Sequence, residues 1–166
     1  MFNFNRRGLP FIGVSAFGAA LALAFSTFAV RDVVLYNPSS SLPSGFYVRS
    51  DDDPSPGAIV TVRARDVAPD YALARDFTDA GDRFLKRVVA ISGDRVCASG
   101  AAMVVNQRIV RRQLRDAAGR ALPLWEGCRV LLPGEVLLLG DTQGSFDGRY
   151  WGPIPERLIE GVWRPL

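Results

Sequence analysis

The run Phe84-Leu85-Lys86-Arg87-Val88-Val89-Ala90-Ile91 is rich in β-branched and aromatic residues and contains the only lysine of the 166-residue chain. At a period of two it reads as a strand, with Lys86 on the face shared by Phe84, Val88 and Ala90 and Arg87 on the other. Nineteen arginines and no histidine accompany that lysine. Arginine keeps its proton at any physiological pH, and the usual general base is missing, so Lys86 is the one basic side chain that burial can neutralise. A free lysine titrates near pH ~10.4, and desolvation on an apolar strand face can lower that by roughly 3 to 5 pH units. Bringing it close to 7 takes about 4 to 5 kcal/mol, within the reach of deep burial. Two other readings stand beside this one: an edge strand guarded by an inward charge, and a lysine whose stem packs while its amine reaches water.

Outward from this run, Pro and Gly punctuate the chain at short intervals and long stretches of helical period are absent. Strands are expected at 33–36, 45–49, 58–63, 84–91, 95–98, 102–105, 107–110, 130–132, 136–140 and 161–163, giving a mostly β fold of antiparallel sheets. Asp51-Asp52-Asp53-Pro54 and Ser55-Pro56-Gly57 mark tight turns, and Asn106 sits where a hairpin would reverse. Residues 66–82 read as a loop with one short helix around Tyr71-Ala72-Leu73. Residues 111–127 read as a polar, basic excursion that carries Leu122, Leu124 and Trp125.

The amino terminus differs in kind. No charged residue occurs from Gly8 to Val30, and residues 9–30 are apolar or small apart from Ser15, Ser26 and Thr27. As a helix they would span roughly 33 Å, enough for a hydrocarbon core of about 30 Å. Arg6 and Arg7 precede them, so the positive-inside rule leaves residues 1–8 in the cytoplasm and exports residues 31–166. The expected address is the inner membrane, single-pass, with the main domain on the periplasmic side. A cleaved secretory signal, cut after Ala24-Phe25-Ser26 or Thr27-Phe28-Ala29, delivers the domain to the same side.

The net charge of +3 comes from scattered arginines, with no basic helix or RNA-binding aromatic signature, which argues against nucleic acid and for anionic lipid headgroups. Cys97 and Cys128 lie in the exported part, where a pair is more often bridged than free. No metal-site spacing exists, and no cofactor is expected.

Three segments carry the residues with chemical potential. The first, Asn37-Pro38-Ser39-Ser40-Ser41-Leu42-Pro43-Ser44-Gly45-Phe46-Tyr47, holds serines on a backbone stiffened by Pro38 and Pro43. Read alone, it is a serine-rich linker after a membrane span. The second is Lys86 with Gly93-Asp94 following. The third is Gly140-Asp141-Thr142-Gln143-Gly144-Ser145-Phe146-Asp147-Gly148-Arg149-Tyr150-Trp151-Gly152, where Ser145, Asp147 and Arg149 alternate. Its plain reading is a polar turn with a surface ion pair.

Taken together, in this order and behind an apolar span, the segments resemble the membrane-bound type I signal peptidases and, within them, the conjugative-transfer TraF branch. Ser41-Leu42-Pro43-Ser44-Gly45 is similar to the Ser-x-Pro-x-Gly serine box of that branch, Lys86-Arg87-Val88 with Gly93-Asp94-Arg95-Val96 to the lysine box, and Gly140-Asp141 with Ser145-Phe146-Asp147-Gly148-Arg149-Tyr150-Trp151-Gly152-Pro153 to the third box. Departures are Ala90 and Ser92 where housekeeping enzymes have Gly and Pro, Thr142 for an Asn, Gly148 for a Ser, and a third box one residue shorter.

The resemblance implies a signal-peptidase-like β domain and a serine peptidase with a Ser41–Lys86 dyad. The Ser41 N–H and Ser39 Oγ would serve the oxyanion, Ser145 would orient the amine, and Asp147 paired with Arg149 would organise the site. Ser40 and Ser44 rival Ser41 as nucleophile, separated from it only by spacing to Pro43. The implied partner is an exported precursor with small residues before the cut, a pilin precursor in the TraF branch, which some members also cyclise. A monomer is expected. The other readings are a housekeeping signal peptidase, a non-catalytic tethered scaffold of a secretion apparatus, and a self-cleaving repressor, which the apolar amino terminus disfavours.

Overall fold

The computed structural model describes residues 32–79 and 81–166, and Val33–Leu166 form one compact unit. The expected cytoplasmic segment 1–8 and anchor 9–30 lie outside the described residues. Among the described residues no helix is long and apolar enough to cross a membrane.

Among the described residues eleven strands build two antiparallel sheets. They are β1 (Val34–Asn37), β2 (Gly45–Ser50), β3 (Ile59–Arg63), β4 (Arg83–Ala90), β5 (Arg95–Ser99), β6 (Ala102–Val105), β7 (Arg108–Arg111), β8 (Gly127–Val130), β9 (Glu135–Leu139), β10 (Ile154–Pro155) and β11 (Ile159–Pro165). The larger sheet runs β1-β2-β11-β3-β4-β9-β10 and the smaller β7-β6-β5-β8. Strands β3, β4 and β9 are central, which is why Ile59-Val60-Thr61-Val62 and Val136-Leu137-Leu138-Leu139 are apolar almost without interruption and buried.

Alternation on these strands separates two cores. Val60, Val62, Val88, Val136 and Leu138 pack on one face of the large sheet, against helices α1 (Ala64–Val67) and α2 (Pro69–Leu73). Leu137, Leu139 and Ala90 meet Val96, Ala98, Met103 and Val105 of the small sheet. A third cluster, Leu42, Tyr47, Ile59, Leu85 and Trp163, seats the segment between β1 and β2.

Three strand boundaries differ from expectation. β8 lies at Gly127–Val130 instead of 130–132, because its register is set by Cys128 opposite Cys97 on β5, while Leu131 turns inward to the core and Leu132 is exposed. β10 is two residues, Ile154 and Pro155, directly after Pro153, an edge strand too short to leave a periodic pattern. β11 runs well beyond 161–163, since a bulge between Ile159 and Gly161 breaks its alternation. Residues 66–82 contain the end of α1 and all of α2 where one short helix is expected.

Cys97 and Cys128 are joined in a disulfide between β5 and β8, 31 residues apart in sequence. Opening it by Cys97→Ser with Cys128→Ser is expected to lower unfolding stability by about 3 to 4 kcal/mol in denaturant titration. An unchanged midpoint would show that the clasp beside it suffices. That clasp is Arg112, buried, donating to the carbonyls of Gly100 (2.5 Å), Trp125 (2.5 Å) and Arg149 (3.2 Å) and pairing with Glu126 at 2.8 Å. It closes the excursion 112–126 onto the rest of the domain, a role that nothing in its polar local sequence announces.

Candidate active site

The segment after β1 turns because Asn37 folds it. The Asn37 amide donates to the carbonyls of Ser39 (3.0 Å), Leu42 (3.3 Å) and Pro43 (3.1 Å), and its Oδ1 accepts from Ser39 N. Tyr47 OH donates to Pro43 O at 2.6 Å from the following strand, and Leu42 is buried in the third core cluster. The serine between these fixed points, Ser41, is therefore held in place and 7 % exposed. Ser40 and Ser44 are exposed and make no hydrogen bond to Lys86.

Lys86 approaches from β4. It pairs in register with Val60, is 4 % exposed, and its Nζ donates to Ser41 Oγ at 3.0 Å. Burial is the main influence on this amine and drives its pKa from 10.5 down to about 8. The Asp147 carboxylate pulls the other way and the Arg149 guanidinium reinforces the fall. Ser39 Oγ lies 2.9 Å from Ser41 Oγ and also accepts from Ser41 N at 3.1 Å. The two groups that the resemblance implies as oxyanion donors are thus bonded to one another here.

The third segment forms the floor. Asp147, fully buried, caps α3 (Gly148–Trp151) by accepting from Arg149 N (3.1 Å), and its other oxygen accepts from Gly140 N at 2.7 Å. Arg149 pairs with it at 3.3 Å and donates to the carbonyls of Gly140 (2.8 Å), Thr142 (2.9 Å) and Gln143 (2.9 Å). Burial raises the Asp147 carboxyl above its ordinary value, against the opposing pull of Arg149 and the two N–H groups. Ser145 differs from expectation: its buried Oγ has no hydrogen-bond partner of sound geometry and makes none to Lys86, although the hydroxyl is near enough to Asp147 to favour the ionised form. Phe146, stacked between Tyr71 and Tyr150, anchors this loop in an aromatic cluster with Phe84 and Trp151.

Two glycines set the spacing. A Cβ on Gly140 would collide with the Ser145 side chain and lie 2.9 Å from Ser41 O, so the floor touches the Ser41 loop directly; Asp141 N donates to that same carbonyl at 2.7 Å. A Cβ on Gly148 would lie 2.6 Å from Leu138 O and 2.8 Å from Leu137 Cδ1, which accounts for Gly where a Ser is usual. Neither Gly140 nor Asn37 carries a local signal that would single it out from sequence. Asp141 also receives Arg87 in a two-pronged pair (2.9 and 2.8 Å), which holds its carboxyl below the ordinary range.

A cleft of about 480 Å³ opens beside the two groups, lined by Leu35, Tyr36, Thr61, Phe84 and Leu85 together with Ser41 and Lys86. No group of His, Cys, Asp and Glu suited to a metal occurs among the described residues.

A family model described as signal peptidase, peptidase S26, matches residues 8–165. The chain belongs to this family. Among the proteins it resembles are two called plasmid transfer protein TraF, both from Escherichia coli. One is 32 % identical over 90 % of each chain, the other 34 % identical over 89 % of each. A probable signal peptidase I-2 from Synechocystis is 29 % identical, over 85 % of this chain and 64 % of that one. A crystal structure of a signal peptidase I from Enterococcus faecalis superposes loosely, with a TM-score of 0.39 at 20 % identity over 68 % of this chain and 98 % of that one.

Proposed function

We propose that this signal peptidase family member is a membrane-anchored serine endopeptidase whose Ser41–Lys86 dyad cuts an exported precursor during conjugative transfer, a pilin-like protein being the substrate class. Residues 9–30 are its anchor and the catalytic domain faces the periplasm. The observation that carries the reading is the chain's only lysine, buried on a strand face with its amine 3.0 Å from Ser41 Oγ.

Neutral Lys86 accepts the Ser41 proton as Oγ attacks the substrate carbonyl. The oxyanion takes the Ser41 N–H and the Ser39 hydroxyl. Protonated Lys86 then passes its proton to the leaving amine, and an acyl-enzyme remains. Water, or an amine of the substrate itself, attacks the acyl group while Lys86 accepts its proton and hands it to the departing Ser41 Oγ, which restores the hydroxyl and the neutral amine. Asp147 and Arg149 act by holding the loop, and small side chains are expected before the cut, as the family resemblance implies.

At neutral pH about a tenth of an amine with a pKa of about 8 is free of its proton. The turnover of a precursor peptide is therefore expected to rise with pH along a limb centred near 8 and then level off. Ser41→Ala and Lys86→Arg should each reduce cleavage to background, and Ser41→Ala should also end labelling by a serine-directed acylating probe. A limb near 10, or an active Lys86→Arg protein, excludes the dyad; a folded wild type that neither cleaves nor labels favours a scaffold.

A further inference from the structure

A second, larger groove of about 1060 Å³ is lined by Gly140 and Asp141, shares no lining residue with the small cleft, and is not used by the Ser41–Lys86 chemistry. Its walls come from Arg87 and Val89 of β4, the 140–143 loop, and β7 with the Asn106-Gln107 turn. Four arginines line it, Arg87, Arg108, Arg111 and Arg149, against one carboxylate, Asp141. Arg87 is matched by Asp141, and Arg149 by Asp147 and three carbonyls. Arg108 and Arg111 form no salt bridge among the described residues, and both are exposed. The field of Arg108 already helps to hold the Asp141 carboxyl low. The groove therefore carries uncompensated positive charge.

Its geometry suits an extended chain. β7 is the outer strand of the small sheet and pairs, among the described residues, with β6 alone, so one side of its backbone is available for a further strand. Asp141, which lines the groove, bonds Ser41 O through its N–H at 2.7 Å, so the groove borders the Ser41 loop. The cleft and the groove share no lining residue, so a substrate whose acyl half occupies the cleft has the groove left for its leaving half.

We infer that the groove binds a carboxylate-bearing stretch of the substrate on the carboxyl side of the cut. Which side of the cut it serves rests on the peptidase reading, whereas the preference for carboxylates does not.

The test is equilibrium binding, which needs no turnover. Full-length Ser41→Ala protein in detergent micelles is titrated into two fluorescent decapeptides, identical and alanine-rich up to the cut and continuing as Asp-Glu-Asp in one and Asn-Gln-Asn in the other. Two exposed ion pairs predict a preference of roughly tenfold for the acidic peptide at low salt, fading by about 0.5 M salt. The Arg108→Gln/Arg111→Gln double variant should lose the preference, and Arg108→Glu/Arg111→Glu should transfer it to a Lys-Arg-Lys peptide. Equal affinities in the single-site Ser41→Ala protein, or a preference that survives both double variants, overturns the inference. So does binding of phosphatidylglycerol vesicles that the double variants abolish while peptide affinity stays equal, which would make the groove a lipid site. Acidic-peptide binding by a wild type that cleaves nothing upholds the groove and removes the peptidase reading instead.

Discussion

Lys86→Met is expected to give a protein without peptidase activity that is more stable than the wild type at neutral pH by about 3 kcal/mol. The magnitude follows from the fall of the buried amine from 10.5 to about 8. Below pH 8 the lysine is charged in both the folded and the unfolded chain, and the folded protein bears the whole cost of burying that charge. Between 8 and 10.5 the unfolded chain still holds a proton that the folded one has released, so wild-type stability climbs with pH. Above 10.5 both states of the wild type are neutral, and the advantage of the variant's uncharged side chain over lysine disappears. Denaturant titrations near neutral pH and above the free-lysine value read this directly. A Lys86→Met protein no more stable than wild type at neutral pH would show that the amine is not destabilised by its surroundings, and the argument for a neutral base would go with it.

Gly140→Ala is expected to reduce turnover by about a hundredfold or more while the domain stays folded. The new methyl has no free volume: the Ser145 Cβ would stand 2.7 Å away and the Ser41 carbonyl 2.9 Å. Relief requires the serine loop or the 140–147 loop to move, and a displacement of about 1 Å at a reacting atom costs on the order of 10²-fold. Ser145→Gly removes two of the three clashing atoms, so the double variant should recover part of what Gly140→Ala loses, a coupling measurable by a double-mutant cycle. Wild-type rates in the single variant would mean that the two loops are not held against each other.

Much of this site is legible in the sequence because each part leaves a local trace. A lysine in a period-two apolar run can only point into the sheet or its edge, and β4 does bury it with Val60 opposite. Serines flanked by prolines imply a fixed loop, and Ser41 sits in one. The residues that leave no such trace act across long sequence distances or through the backbone. Arg112 bonds Gly100, Trp125 and Arg149, and Asn37 organises a loop through three backbone carbonyls that any sequence would supply. Ser145 shows the opposite case: the family resemblance implies a side chain that orients the amine, but its buried Oγ makes no hydrogen bond to Lys86. β8 departs from expectation for a related reason, since the apolar triplet 130–132 outweighs, in sequence, a pairing that Cys97 and Cys128 decide.

That the chain's single ε-amine is also the one lying against Ser41 gives the protein a built-in spectroscopic reporter. Isotope-labelled lysine supplied during expression would produce one side-chain resonance, free of overlap and needing no assignment, whose chemical shift follows the proton on the proposed base in the intact protein.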